Sequence, residues 1–325
     1  MIARNSIYFQ IMKNLFAFLF FCASLTSAAQ TIERFYDHNW KYCEPVYARF
    51  YSTLKSTDSG WLANDYYLAT KRLQMTGLYT DTAGNNKNGF FKYYHPNGYL
   101  KSKGQYINNQ KNGLWVSYYS NGAMSDSAVY KNGVVENYAL SWNRDGNLTD
   151  SLFVDTNGFS VQVAWFSNGN IAMAGRLNEK KEKYGRWQYY FKEGGLSSSE
   201  IYENDKLIRF TFFTKEGKPI ENANYEVIPA TFPGGTQAWA NHLTKKLYFP
   251  NFTLQNTNSV SVVVEFEINE EGKIQNAEVT VPLHPEFDRI ALEAIKKSPN
   301  WIPAKMHNRN IVYKNRQSVS FYKQE

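Results

Sequence analysis

The chain has 325 residues, enough for about two domains, and aromatic residues make up 17% of it. Charged residues account for 20% of the sequence, and together with the aromatic content this profile excludes an intrinsically disordered chain. The formal net charge is +7, but the lysines and arginines are scattered, which excludes the clustered basic patch that nucleic-acid binding requires. Aromatic and glycine-containing sequence favours sheet over helix, so we predict a mainly β protein.

The first 29 residues have the features of a secretory signal peptide. Lys13 supplies the positive charge, residues 15–25 form the apolar stretch, and Ser27-Ala28-Ala29 offers small residues for cleavage before Gln30. The apolar run is shorter than the roughly 20 residues that a membrane-spanning helix needs. We therefore predict export to the periplasm. The alternative is a retained leader that anchors the chain in the membrane.

A turn pattern recurs every 23 to 25 residues between residues 61 and 227. Each copy has a glycine preceded by Asn, Asp or Glu, and an aromatic residue four positions before that glycine. The glycines are Gly98, Gly122, Gly146, Gly169, Gly194 and Gly217, and a degenerate seventh copy has Lys71 in the glycine position. Asn-Gly and Asp-Gly turns close β-hairpins, so we predict about seven hairpins that stack and share one apolar face.

Three copies carry a second glycine before the aromatic strand. These glycines follow Asn88, Asn112 and Tyr184. Since glycine readily adopts the positive φ of a tight turn, we predict that each pair closes its hairpin at the other end.

Residues 93–106 show the complete repeat, with two tyrosines, the Asn97-Gly98 turn, Leu100 and a final Gly-x-Tyr. This pattern resembles the MORN repeat, in the variant found in bacterial antitoxin-like secreted proteins. The resemblance implies a scaffold of β-hairpins and specifies no ligand. Most of the aromatic residues should fill the shared apolar face. The outward ones, such as Tyr99, Tyr119 and Phe191, are candidates for a strip that binds sugar or peptide.

The pattern changes after residue 228 to alternating helices and strands. Alternation of apolar and polar residues predicts the strands, and apolar residues at helical spacing predict the helices. The predicted elements are a helix from Thr236 to Lys246, strands from Ser259 to Ile268 and from Lys273 to Val281, a helix from Pro285 to Lys297, and a strand from Ile311 to Tyr322 that is interrupted around Lys314-Asn315.

Residues 231–322 resemble the C-terminal domain of TonB. The motifs that support this are Pro233-Gly234-Gly235, Tyr248-Phe249-Pro250, Gly272-Lys273-Ile274 and the run from Trp301 to Lys305. The resemblance implies a periplasmic module that grips an extended peptide by strand addition at the edge of its sheet. An edge strand offers unpaired N–H and C=O groups that a docking peptide can satisfy. Carried over to this sequence, the edge is the final strand, at Gln317, Ser318, Val319, Ser320 and Phe321.

Two features depart from a TonB energy transducer. The leader has the features of a cleavable one, and the 10 prolines of the chain are not gathered into a proline-rich spacer. Residues 251–259 form an Asn- and Thr-rich insertion before the first predicted strand of the domain. Both features put the transmission of force in doubt.

No sequence motif indicates catalysis or a bound cofactor. The five histidines show no metal-ligand spacing, and the chain has no HExxH, GxSxG, Walker A or GxGxxG motif. We therefore predict a protein that is not an enzyme and that has no cofactor.

These observations predict a mainly β chain with an α+β C-terminal domain. The expected division is a signal peptide (1–29), a lead-in (30–60), MORN-like hairpins (61–227) and a TonB-like domain (228–325). The leading hypothesis is a periplasmic binding protein linked to TonB-type transport, with a cell-envelope protein as its partner, such as a transporter plug or a TonB-box-like peptide.

Three alternatives stay open. The first is a repeat protein that binds peptidoglycan or carbohydrate through exposed aromatic residues. The second is an energy transducer anchored by an uncleaved leader. The third concerns assembly, since unpaired sheet edges could also join two copies of the chain into a homodimer.

Overall fold

A computed structural model of the protein describes residues 30–251 and 259–323. The predicted signal peptide and most of the predicted insertion lie outside these residues. Within them, a long antiparallel sheet is followed by a small domain of helices and strands, which confirms the predicted fold class. Neither α-helix in this part of the chain combines the length and the hydropathy needed to cross a bilayer.

Fifteen strands of the described chain form one meandering sheet, in which each strand pairs antiparallel with the next along the sequence. The strands are β1 (Thr31–Tyr36), β2 (Phe50–Thr57), β3 (Gly60–Tyr67), β4 (Leu73–Tyr79), β5 (Gly89–Tyr94), β6 (Leu100–Ile107), β7 (Gln110–Tyr118), β8 (Met124–Lys131), β9 (Val134–Trp142), β10 (Leu148–Val154), β11 (Ser160–Trp165), β12 (Ile171–Leu177), β13 (Lys183–Tyr190), β14 (Leu196–Glu203) and β15 (Lys206–Phe212). Most neighbouring strands are joined by short turns, which permit this order. The connection from β1 to β2 is longer and contains a single 3-10 turn, Pro45–Tyr47. The sheet already includes β1 and β2, which lie in the segment that we treated as a lead-in.

The six predicted turn glycines all lie in turns with positive φ, between +82° and +106°. Lys71 adopts the same left-handed conformation in the degenerate copy, with φ of +58°, and the hairpin of β3 and β4 forms around it. A side chain makes this conformation costly but not forbidden. The repeat therefore keeps its turn geometry where the glycine is missing.

The prediction of second turns at Asn112-Gly113 and Tyr184-Gly185 is wrong. Gly113 and Gly185 lie inside β7 and β13, at points where the register with the preceding strand shifts. The hairpins close instead at Asn108-Asn109, where both residues have positive φ, and at residues 178–182, where Lys181 has positive φ. A β-bulge and a tight turn both use a glycine with positive φ, so the dipeptide does not distinguish them.

Glycines and large rings face each other across neighbouring strands. A Cβ atom at any of these glycines would lie 2.2 Å or less from the ring opposite. The pairs are Gly77 with Phe91, Gly104 with Trp115, and Gly175 with Trp187. The three rings are at most 4% exposed. Each large ring therefore needs a residue without a side chain on the adjacent strand.

The C-terminal domain has two helices, a three-stranded sheet and a short hairpin within the described residues. Its elements are α1 (Gly235–Lys246), β16 (Ser259–Ile268), β17 (Ile274–Val281), α2 (Pro285–Lys296), β18 (Ala304–Met306), β19 (Arg309–Ile311) and β20 (Tyr313–Tyr322). The sheet order is β17-β16-β20, and β18 pairs with β19.

The predicted interruption of the last strand around Lys314-Asn315 is wrong. Both residues lie within β20, and the chain breaks its strand structure at Val312 instead. The hairpin of β18 and β19 was not predicted. Its turn uses His307 and Asn308, both with positive φ, and contains no glycine that would have marked it.

The two faces of β16 contact different parts of the protein. Its even-numbered residues, such as Val262 and Phe266, belong to the core that α1 and α2 cover. On the opposite face, Val263 packs with Phe50 and Tyr67 of the long sheet. The small sheet therefore lies between its own helices and the repeat sheet.

Candidate functional site

Strand β20 forms one edge of the small sheet. In the described residues it pairs with β16 over its whole length, from Tyr313 opposite Ile268 to Tyr322 opposite Ser259, and with no strand on its other side. A ten-residue strand is long for an edge, and its outer side presents backbone N–H and C=O groups to any extended segment that lies beside it.

The core side of β20 holds the edge in place. Val319 and Phe321 are 1% and 2% exposed and belong to the core of the domain. The Phe321 ring packs edge-on against Phe287, with 5.0 Å between the ring centroids. Gln317 Oε1 accepts a hydrogen bond of 3.0 Å from Trp239 Nε1 of α1. Three of the five predicted partner-binding residues therefore turn their side chains towards the domain itself.

The other face of β20 turns towards the repeat sheet. Ser318 is exposed, and the Ser320 hydroxyl lies 3.0 Å from the hydroxyl of Ser261 on β16. Lys314 and Arg316 continue the same face towards the beginning of the strand, and both are exposed. The predicted partner-binding residues thus adjoin two cations that the sequence analysis did not include.

These cations stand directly opposite acidic residues of β16. Arg316 pairs with Glu265, with 3.6 Å between Nε and Oε1, and both side chains are about half exposed. Lys314 lies opposite Glu267, which accepts a hydrogen bond of 2.8 Å from Asn276. Among the described residues, Lys314 has no ion-pair partner within 4.0 Å.

A cleft of about 440 Å³ separates this face of the small sheet from the repeat sheet. The repeat side contributes His95, Lys101, Tyr119, Asp126 and Arg144 to its lining. Lys314 and Arg316 line it from β20. The cleft therefore lies between the edge strand β20 and the repeats, and charged groups of both signs face into it.

A polar cluster contributes to the lining of the cleft. Glu278 of β17 accepts a hydrogen bond from the Ser120 hydroxyl and pairs with Arg144, at 3.2 Å between Oε2 and Nη2. The Arg144 guanidinium lies over the Tyr119 ring, 4.7 Å from its centroid. The Tyr119 hydroxyl donates to the Trp142 carbonyl at 2.7 Å, and burial raises the pKa of Tyr119. Tyr119 is thus half-buried in the wall of the cleft and does not lie on an open strip.

The other two predicted repeat aromatics occupy separate turns. Tyr99 is 56% exposed, whereas Phe191 is half-buried and its backbone N–H donates to Gly195. Neither of them lines the cleft that contains Tyr119. The structure does not bring the three residues together on one surface.

A different exposed row was missed by the sequence analysis. Pairing register places Tyr138, Phe153, Val161, Arg176 and Tyr184 side by side across five strands, β9 to β13. Phe153 is 58% exposed and Val161 50%, and the last four residues line an open groove of about 420 Å³. Alternation along β10 and β11 was the signal that could have located this row.

A buried carboxylate joins the repeat sheet to the C-terminal domain. Glu200 is fully buried, in the repeat position that Gly104 and Gly175 occupy in other copies. Its carboxylate accepts hydrogen bonds from Ser198 at 2.7 Å and from Tyr202 at 2.5 Å. Burial by itself would raise the pKa of Glu200, but its hydrogen bonds to neighbouring side chains outweigh burial and hold the pKa below its usual value.

His307, from the turn between β18 and β19, completes this cluster. Its Nδ1 lies 2.8 Å from Glu200 Oε1, and its ring stacks on Tyr189 with 3.4 Å between the centroids. Burial lowers the pKa of His307 more than the nearby Glu200 raises it. At neutral pH, a neutral imidazole protonated at Nδ1 therefore donates to a carboxylate.

No group of three or more His, Cys, Asp or Glu residues in the described parts of the chain is arranged to hold a metal ion. The described residues do provide an edge strand, a charged cleft beside it and, apart from the cleft, a buried contact between the domain and the repeats. This arrangement is suited to binding an extended chain.

Comparison with protein families gives a match in the C-terminal domain. The family model described as Gram-negative bacterial TonB protein C-terminal matches residues 245–322. The match runs from the end of α1 through β20 and supports the resemblance inferred for this domain. The TonB C-terminal family is a non-enzymatic protein-interaction domain. A search of curated proteins found no match. The MORN-like interpretation of the repeats continues to depend on the sequence pattern.

Proposed function

We propose that the protein is a non-enzymatic binding protein of the cell envelope, exported to the periplasm, whose TonB-like domain recognises an extended segment of a partner by strand addition to β20. The observation that carries this proposal is the ten-residue edge, which pairs on one side only among the described residues. The family match to residues 245–322 supports the same reading.

Strand β20 is held in its extended conformation by contacts within its own domain. Val319 and Phe321 are anchored in the core, and Gln317 is tied to Trp239, so the strand loses little conformational freedom when a segment docks. Preorganisation of this kind improves affinity because less ordering is required during association. Backbone hydrogen bonds would supply affinity, and side chains on the two faces would supply specificity.

The partner that fits this function is a cell-envelope protein with an exposed extended segment, such as the plug of an outer-membrane transporter. The repeat sheet would act as a rigid support that presents the domain. Its contacts with the small sheet, through Val263 and through Glu200, favour a fixed orientation.

Photo-crosslinking in cells tests the proposal. A benzophenone amino acid at the exposed position Ser318 should give a crosslink to one envelope protein, mapped by mass spectrometry to an extended segment of it. The matched control carries the same amino acid at Lys206, an exposed position on β15, which is an edge strand of the repeat sheet. Equal crosslinking from both positions, or none from Ser318, would refute strand addition at β20.

Binding of peptidoglycan or carbohydrate by the repeats is the second candidate function. The exposed row with Phe153, Arg176 and Tyr184 favours it, because aromatic rings beside a polar group suit the faces of sugar rings. Purified peptidoglycan should then sediment the wild type and not the double variant Phe153→Ala/Tyr184→Ala. A Tyr99→Ala variant tests the predicted aromatic that is most exposed. Sedimentation unchanged in both variants would exclude this function.

A further inference from the structure

The proposed edge has an uneven charge distribution. Within β20, both charged residues, Lys314 and Arg316, are cations, and they are two positions apart on the same face. Ser318 and Ser320 continue that face without charge. A segment that pairs with β20 would therefore place alternate side chains directly beside two cations and then beside two small hydroxyl residues.

Both cations can form further ion pairs and hydrogen bonds on the side away from β16. Arg316 makes a single long contact of 3.6 Å to Glu265 and is 49% exposed, so most of its N–H donors are unused by that pair. Glu267, opposite Lys314, is already engaged by Asn276. The acidic residues of β16 and the cations of β20 thus form two cross-strand pairs of opposite charge. Acidic residues on a strand added beside β20 would continue this alternation of charge.

The cleft provides room for the side chains of such a strand. Lys314 and Arg316 line it, and Lys101 adds a third cation from the repeat side. The Nε atom of Arg144, which also lines the cleft, is buried and has no hydrogen-bond partner. Asp126 is the acidic residue on the repeat side, and it accepts a hydrogen bond of 2.9 Å from Ser141.

We infer that the segment recognised by β20 is acidic, with Asp or Glu at two alternate positions that enter the cleft beside Lys314 and Arg316. Small uncharged residues follow beside Ser318 and Ser320. This inference rests on the proposed function, since it specifies which segment the edge selects. Opposite charges across a strand pair strengthen it and like charges weaken it, so each position should change affinity by about 1.5- to 5-fold.

Selection from a random library of displayed 12-residue peptides tests the inference with the full exported chain. Enriched peptides should carry acidic residues two positions apart. The best peptide is then synthesised with both acidic residues kept, changed to Gln, or changed to Lys, and dissociation constants are measured by fluorescence anisotropy. The acidic peptide should bind about 10-fold more tightly than the Lys peptide, with the Gln peptide between them.

A charge-reversed variant provides the control on the protein side. Lys314→Glu/Arg316→Glu should invert the order of the three peptides. Lys206→Glu/Arg209→Glu makes the same charge change at the β15 edge and should leave the order unchanged. N-methylation of alternate backbone amides of the peptide, in either of the two possible frames, tests strand addition itself. In one frame the methylated N–H groups face β20, and in the other they point away from it.

The outcomes separate the inference from the proposed function. If one N-methylation frame abolishes binding while the three peptides bind within 2-fold of each other, strand addition stands and the acidic preference is refuted. If no peptide is enriched, or if both N-methylated peptides bind like the parent, the proposed function fails and the inference with it. A dimer whose formation competes with peptide would assign the edge to a second copy and would also overturn the inference.

Discussion

Glu200 occupies a position that glycine fills in other repeats, and this single exchange creates a contact between distant parts of the chain. A carboxylate is costly to bury unless hydrogen bonds compensate for lost water. Ser198, Tyr202 and His307 provide that compensation, and His307 lies 107 residues away in the sequence. The pair therefore stabilises the docked arrangement of the two parts.

His307→Ala should lower the free energy of unfolding by about 1–3 kcal/mol, because it removes one donor from a fully buried carboxylate. Chemical denaturation at pH 7 measures this. The control is His38→Ala, which removes an imidazole whose hydrogen bond to Asn39 is exposed. A loss below about 0.5 kcal/mol, the range of ordinary surface substitutions, would show that the contact contributes little.

Asp65 gives a second prediction, through the dependence of stability on pH. Burial raises the pKa of Asp65 to about 6, although the Ser52 hydroxyl and Lys87 act in the opposite direction. The folded state thus binds a proton more tightly than the unfolded state, so stability is lost as pH rises through about 6. Asp65→Asn, which stays neutral, should remove this loss. The free energy of unfolding of the variant relative to the wild type should therefore be about 2–3 kcal/mol more favourable at pH 8 than at pH 4.

Denaturation of both proteins at a series of pH values measures the difference. The wild type has other titrating groups, but they are common to the variant and cancel in the comparison. A constant difference between pH 4 and pH 8 would mean that the Asp65 carboxyl is not the group responsible.

At the scale of elements, each hairpin depends on pairs of residues that fit across neighbouring strands. Trp115 packs against Gly104, donates from Nε1 to the Gln105 carbonyl at 3.0 Å, and carries Lys111 over its ring at 4.7 Å. In the next repeat, Ala128 stands in the glycine position. Because contacts fix the Trp115 ring, it cannot move aside for an added methyl group.

Gly104→Ala should therefore destabilise the protein by about 1–3 kcal/mol through overpacking. Ala128→Gly makes the reverse exchange at the equivalent site and should cost about 1 kcal/mol or less, from backbone freedom. Thermal unfolding of the two variants gives the comparison. Equal effects would indicate that the close approach of Gly104 and Trp115 does not limit the packing.

At the scale of the whole molecule, the turns of successive repeats form a row that faces the small sheet. Residues in several of these turns contact the C-terminal domain. The contacts join Ser120 with Glu278, Phe166 with Arg309, and Lys192 with Glu270 and Glu271. Successive hairpins advance by two strands, about 10 Å, so the turns offer evenly spaced points of support. The C-terminal domain therefore rests on several repeats at once.

Export is predicted at this scale. Mass spectrometry of fractionated cells should find a soluble periplasmic species that begins at Gln30, because the leader has the length and the small residues of a cleavable signal peptide. The unprocessed chain in the inner membrane would contradict this. It would favour the anchored energy transducer, with the repeat sheet in place of a proline-rich spacer.

Local patterns allowed much of the fold to be predicted. The spacing of the turn glycines predicted the hairpins, and the alternation from Ser259 to Ile268 predicted β16 with the bounds that the structure has. These features follow from the dihedral angles of single residues and from the period of side chains along a strand. Gly113 shows the limit, since its positive φ serves a bulge and the hairpin turn lies elsewhere.

Other features arose only when distant segments came together. Sequence patterns report which face a residue occupies, but not which segment will cover that face. The pairing of Glu200 with His307 and the cleft between β20 and the repeats both join residues far apart in the chain. Periodicity carries no information about such contacts, because they depend on how complete elements pack.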